Sequence, residues 1–188
     1  MNRLPLALLG AALLLLTGCE TGPIGETADD EGIYAIAVQG DQASLRLLES
    51  SRPEDRADAI CALGVLAAEA ARNGNTAVAA RRTNILIRHF SDESAPAVRS
   101  LIVESALVAA NVRTPAVRNF LRARLTEADC LTEAIRAYAA LFPQEAGAAL
   151  RPFLDHPRFE IRLEAARALI DCGSPDAAPS VRALIENM

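Results

Sequence analysis

The chain repeats itself, and a stretch that recurs at helical spacing restricts the fold more than any single motif. Ala95-Pro96-Ala97-Val98-Arg99-Ser100-Leu101-Ile102 and Ala178-Pro179-Ser180-Val181-Arg182-Ala183-Leu184-Ile185 agree at six of eight positions. Thr114-Pro115-Ala116-Val117-Arg118-Asn119-Phe120-Leu121 is a third copy, Leu150 to Leu154 a shorter fourth and Leu45 to Leu48 a fifth. Arg118, Arg151 and Arg182 are spaced by 33 and 31 residues. Such periods mark arrays in which each unit buries its apolar face only against its neighbours. Proline at the head of a copy suits a first helical turn, where its missing N–H costs nothing.

Composition agrees with helices. The 188 residues include 38 alanines and 25 leucines, and only 4% are aromatic. Alanine and leucine are the strongest helix formers. All 19 basic residues are arginine, against 24 acids, a formal charge of −5 without an arginine block that would track a phosphate backbone. Nucleic acid is therefore not an expected partner.

A second arginine series interleaves with the first. Arg56, Arg99, Arg136 and Arg162 each follow an acid by seven residues, in the pairs Glu49 and Arg56, Asp92 and Arg99, Asp129 and Arg136, Asp155 and Arg162. Turn or capping residues lie between, which predicts an acid near the start of each first helix, opposing the helix dipole. An arginine fork can bridge an acid and helix-end carbonyls together. Recurrence once per repeat assigns these eight residues to a structural ladder rather than to catalysis.

The pattern predicts helix pairs at 33–39 with 42–50, 54–72 with 76–90, 95–111 with 115–125, 128–142 with 144–154, and 158–171 with 176–187. The stretch 33–38 has strand propensity but no second strand to pair with, so a helix is expected there. Leu141-Phe142-Pro143 should end its helix early. This order of acid, turn, aliphatic-arginine, alanine-rich helix, Gly-x-Pro turn and x-V-R-x-L helix is similar to HEAT-like repeats, especially the short kind of the phycobilin lyases. The resemblance spans residues 32–188 and implies an all-α fold, an α-solenoid of about four to five helical hairpins. In such arrays the second helices line a concave binding face, which makes Asn119, Arg122 and Arg124 candidate partner contacts.

The N-terminus carries an address. Met1-Asn2-Arg3, an apolar run from Leu4 to Leu16 and Thr17-Gly18 form a secretion signal over residues 1–18, too short to span a bilayer, which needs ~20 residues. Leu16-Thr17-Gly18-Cys19 resembles the bacterial lipobox. The resemblance implies cleavage before Cys19, acylation of its thiol and amino group, and an envelope location. Glu20, in place of the aspartate that retains such proteins in the inner membrane, points to the outer membrane facing the periplasm. Two or three acyl chains anchor durably at ~0.8 kcal/mol per buried methylene. Residues 19–31 read as an acidic tether, and loss of Arg3 leaves 18 arginines against 24 acids, a formal −6.

The remaining cysteines, Cys61, Cys130 and Cys172, are expected as thiols, since the parse puts Cys130 and Cys172 at opposite ends of neighbouring parallel helices. His89 and His156 have no ligand spacing to one another or to the cysteines, so no metal and no cofactor is expected. Nucleophile-elbow and phosphate-loop motifs are missing from the sequence, and no catalytic residue is assigned. The expected role is a non-enzymatic scaffold holding an envelope protein or peptide. A structural accessory of an envelope complex is the alternative, followed by a lyase-like pigment carrier or enzyme.

Overall fold

The computed structural model describes residues 30–174, and among them there are helices and turns but no strand. The chain divides into two compact units at Asn111 and Val112. The signal, Cys19, residues 20–29 of the tether, the repeat copy at 178–185 and the expected last helix at 176–187 lie outside the described residues.

The first unit is built around one helix. Helices α1 (Asp30–Gln39) and α2 (Asp41–Leu48) precede α3 (Pro53–Arg72), and α4 (Thr76–Asp92) follows it. The stretch at 33–38 is helical, as the lack of a strand partner predicts. Ile33 and Ala37, four residues apart, seat on Ala62 and Leu66 of α3. Pro53 opens α3, with Glu54 and Asp55 in its first turn and Arg72 in its last. These charges oppose the helix dipole at each end. Gly40 at φ 82° and Gly74 at φ 76° take the left-handed conformation that breaks the chain between α1 and α2 and between α3 and α4.

Helix α3 is buried nearly all round, with Ala57, Ala59, Ile60, Ala62, Leu63, Gly64, Val65, Leu66, Ala67 and Ala70 inside. A helix apolar on every side needs neighbours on every side. They are α1, α2, α4 and the helical segment 96–110. Small residues let those backbones come close. A Cβ placed on Gly64 would stand 2.9 Å from the Ala106 carbonyl oxygen and 3.1 Å from its Cα.

The segment expected as one helix over 95–111 is α5 (Pro96–Leu101), a π turn (Ile102–Ala106) and α6 (Leu107–Ala110). The spacing of its core residues gives a physical reason. Val98, Ile102, Ala106 and Ala110 are all buried and separated by four. Four residues of α-helix turn ~400°, so a strict spacing of four drifts ~40° per step. One wider turn takes up much of that drift and keeps the stripe on α3. Asn111 at φ 48° closes the segment, its N–H on the Leu107 and Val108 carbonyls.

The second unit contains α7 (Pro115–Arg124), α8 (Leu131–Leu141), α9 (Pro143–Leu150) and α10 (Phe159–Asp171). Thr114 Oγ1 caps α7 by accepting the Val117 N–H at 3.3 Å, and Pro115 fills its first turn. Helix α8 packs against α7, α9 and α10. It ends at Leu141 as the Leu-Phe-Pro sequence predicts, with Phe142 at φ −129° and ψ 56°. The helix expected over 144–154 tightens into a 3-10 turn at Arg151–Asp155. Pro152 explains the change, because it offers no N–H to an α-helical ladder. Tyr138 is among the largest fully buried side chains, and its ring tilts at 41° to that of Phe142, centroids 5.5 Å apart.

Candidate functional site

Arg56, Arg99 and Arg162 of the interleaved series are each the fourth residue of a helix and Arg136 is the sixth, and the first of them anchors the most enclosed polar cluster described. Arg56, in the first turn of α3, donates from Nε and Nη2 to the two carboxylate oxygens of Glu93, both at 2.7 Å. Its Nη1 donates to the Ser50 carbonyl at 2.9 Å. The Glu93 side chain is 1% exposed and also accepts the Ala95 N–H at 2.8 Å. His89 Nε2 lies 3.2 Å from its Oε2. Burial pulls the Glu93 carboxyl upward, but the Arg56 fork, the Ala95 N–H and His89 outweigh it and hold the group at about 2.

This bridge differs from the expected pairs. Arg56 pairs with Glu93 and not with Glu49, which is exposed at the C-terminal end of α2. Asp92 is exposed as the last residue of α4, while Glu93, one residue further round, turns inward. Asp155 likewise closes the 3-10 turn, so Glu49, Asp92 and Asp155 terminate preceding helical segments instead of opening new ones. Asp129 is exposed in the turn before α8. For Arg56 the seven-residue interval spans a connection, and the acid that receives the arginine comes from 37 residues further on.

The other arginines use different acceptors. Arg136 Nε donates to Glu164 Oε1 of α10 at 2.8 Å, tying α8 to the first helix of the next pair. Arg162 Nη1 donates to the His156 and Pro157 carbonyls at 2.9 and 3.1 Å, and its guanidinium lies over the Phe159 ring. The Arg99 guanidinium stacks 4.4 Å from the Phe90 ring centroid. The fork's ability to serve acids, carbonyls and rings explains why one residue type recurs while its partners vary.

A second cluster joins α7, α8 and α9. Tyr138 Oη accepts from Arg122 Nε at 2.8 Å and donates to Glu145 Oε2 at 3.1 Å. Glu145 also receives Arg118 Nη1 at 3.1 Å and Arg122 Nη2 at 2.9 Å. The Arg118 hydrogen bond leads in holding Glu145 below the usual carboxylate range, and burial leads in raising Tyr138 above the usual phenol range. Two of the three expected partner contacts are thus engaged within the chain. Arg122 belongs to this cluster, and Arg124 pairs with Glu127 at 2.6 Å and covers the Phe120 ring. Asn119 is exposed on α7.

A third cluster went unforeseen. Asp41 at the start of α2 receives Arg82 Nε at 2.7 Å and Arg81 Nη2 at 2.8 Å, while Arg82 Nη1 donates to the Leu66 carbonyl. Glu93, Tyr138 and Glu145 were also missed. Their sequence signal is weak, a polar group inside or beside an alanine-rich stripe, and only the i, i+4 pair Arg118 and Arg122 hints at a shared acceptor.

Cys61, Cys130 and Cys172 are free thiols. Burial, aided by the Asp58 charge, pushes the Cys61 thiol up to about 12. Glu127, Asp129 and Cys130 bring one donor atom each within 4.8 Å of one another. The Arg124 guanidinium, 2.6 Å from Glu127, offsets one of the two carboxylate charges there. No described helix is long and apolar enough to cross a membrane. Compared with protein-family models, curated proteins and solved structures, the chain matches none.

Proposed function

We propose that this chain is a lipid-anchored protein of the bacterial cell envelope whose body is a HEAT-like α-solenoid acting as a non-enzymatic scaffold for another envelope protein or peptide. The anchor is Cys19, set in the lipobox Leu16-Thr17-Gly18-Cys19. Glu20 after it favours the outer membrane, with the body in the periplasm.

The observation that carries the solenoid reading is a bridge that recurs in both units. Arg56 of α3 reaches Glu93, immediately before α5, and Arg136 of α8 reaches Glu164 of α10. In each case the arginine of one first helix binds an acid at or beside the next first helix, and those first helices pack together. A link of that kind, repeated pair by pair, is what a stacked array requires, because each pair is stabilised by its neighbour. Fold alone carries no activity, and the carboxylates of the polar clusters described are each bound by arginines of the chain itself, which favours a role in binding over one in catalysis.

Mass analysis of the membrane-extracted protein should find diacylglycerol and a further acyl chain on Cys19, and crosslinking in mild detergent should capture exchangeable partners. An unmodified Cys19 sinks the anchor. An obligate stoichiometric complex without free monomer replaces the scaffold by a structural accessory subunit, and co-purifying pigment replaces it by a lyase-like carrier.

A further inference from the structure

We propose that the uncharged outer face of α1, together with Leu45 of its neighbour α2, rests on the lipid surface to which Cys19 is anchored, so that the bilayer interface is itself the partner of this face. The proposal rests on the lipoprotein reading and goes beyond it, since acyl chains alone would leave the body free to point anywhere.

Helix α1 is apolar on two sides. Ile33 and Ala37 are buried on α3, whereas Tyr34 and Val38, also four residues apart, are 44% and 67% exposed. Ala35 and Gln39 are exposed beside them, and no charged residue occurs from Gly32 to Gly40. Leu45 on α2, which packs against α1, is 40% exposed. Single exposed hydrophobics need no explanation, but a charge-free helical face bearing an aromatic and a β-branched side chain marks a contact surface. Tyrosine is suited to the headgroup level, with its ring among acyl carbons and its hydroxyl in water.

Chain length argues for lipid as the occupant. Ten residues, 20–29, separate Cys19 from the start of α1, so the face can never stand more than ~50 Å from the anchoring point. Tethering at that range gives an effective concentration on the order of millimolar, at which a weak interfacial affinity suffices. The charged side chains next to the face are engaged by hydrogen bonds within the chain. Asp41 is held by Arg81 and Arg82, and Arg46 Nε donates to the Gln42 carbonyl of its own helix. A second copy is a poorer occupant, because three large side chains fall well short of the ~1,200 Å² or more that a stable interface buries. The acids Glu26, Asp29, Asp30 and Glu31 precede the face, so zwitterionic lipid should suit it better than anionic lipid.

The chain has no tryptophan, so Tyr34→Trp or Val38→Trp introduces a single indole. Each full-length acylated variant would be reconstituted in phosphatidylcholine vesicles whose acyl chains carry bromine near the headgroup. The expected result is a blue-shifted emission quenched roughly twofold or more at either position, as befits a face buried ~5–10 Å into the interface. Arg88→Trp, exposed on α4, should stay unquenched, and phosphatidylglycerol in the vesicles should weaken quenching at position 34. Unquenched indoles at 34 and 38 in protein that carries acyl mass on Cys19 would overturn the proposal and leave the anchor standing. Equal quenching at 88 would overturn it too, and a blue shift without quenching in a particle of doubled mass would give the face to a second copy. Lack of acyl mass on Cys19 would remove the anchor and the proposal together.

Discussion

Replacing Glu93 with glutamine removes a charge while keeping the side chain's size, and its cost follows from the enclosure of the pair. The Glu93 side chain is 1% exposed and that of Arg56 13%. Folding lowers the carboxyl from 4.5 to about 2. A shift of that size corresponds to about 3 kcal/mol of stability, at 1.36 kcal/mol per unit. Because the folded value is the lower one, this stabilisation is complete above about pH 4.5 and drains away as the pH falls toward 2. Glu93→Gln forfeits it at neutral pH and leaves the Arg56 guanidinium buried without its counter-charge, for a total of about 3 to 5 kcal/mol. With a urea slope of about 1 to 3 kcal/mol per molar, the midpoint should fall by roughly 1 to 3 M, read by circular dichroism. The deficit should shrink between pH 4.5 and 2, where the parent's own carboxylate becomes protonated. A double substitution, Arg56→Met with Glu93→Leu, should recover most of the loss, since apolar groups of similar volume replace buried pairs well. A Glu93→Gln midpoint equal to the parent's at pH 7, or a deficit as large at pH 2 as at pH 7, would refute this account of the bridge.

Gly64→Ala should destabilise the first unit by about 1 to 3 kcal/mol in thermal melts, because the new methyl meets the Ala106 backbone at 2.9 Å and no side chain can swing aside. Helix propensity alone predicts a gain of up to about 1 kcal/mol, so a raised melting temperature would show that the approach of the two backbones relaxes easily. Alkylation without reductant should label Cys61, Cys130 and Cys172 once the chain is denatured, and in the folded protein at pH 8 Cys61 should react most slowly, its thiol held up at about 12. Rapid native labelling of Cys61 would contradict its place against Ile33, Ala37, Ala62 and Leu66.

The helices were legible in the sequence because alanine-rich stripes, prolines at first turns and glycines at stops act locally. Pro53, Pro96, Pro115 and Pro143 all open helices, and Gly40 and Gly74 separate them. Three of the arginine positions were legible for the same reason, since Arg56, Arg99 and Arg162 are each the fourth residue of a helix. Their partners were not. Arg56 and Glu93 are 37 residues apart and Arg136 and Glu164 are 28 apart, so the pairing depends on how helices stack. Asp92 and Glu93 are equivalent by composition and differ only in which side of the last turn of α4 they occupy. The engagement of Arg122 and Arg124 is equally remote from local pattern, since Arg122 is 54% exposed yet binds Tyr138 and Glu145 of other helices, and Arg124 is held by Glu127.

The π turn at Ile102–Ala106 makes the first unit's core sensitive to counting as well as to chemistry. One surplus residue in that turn lets Val98 and Ala110, twelve positions apart, both meet α3. A deletion within it that left every remaining residue unchanged would rotate Leu107 and Ala110 by ~100° relative to Val98. An exchange among alanine, valine and isoleucine along the stripe therefore leaves its direction in place, whereas a change of length does not, and the register of the segment is a constraint separate from its hydrophobicity.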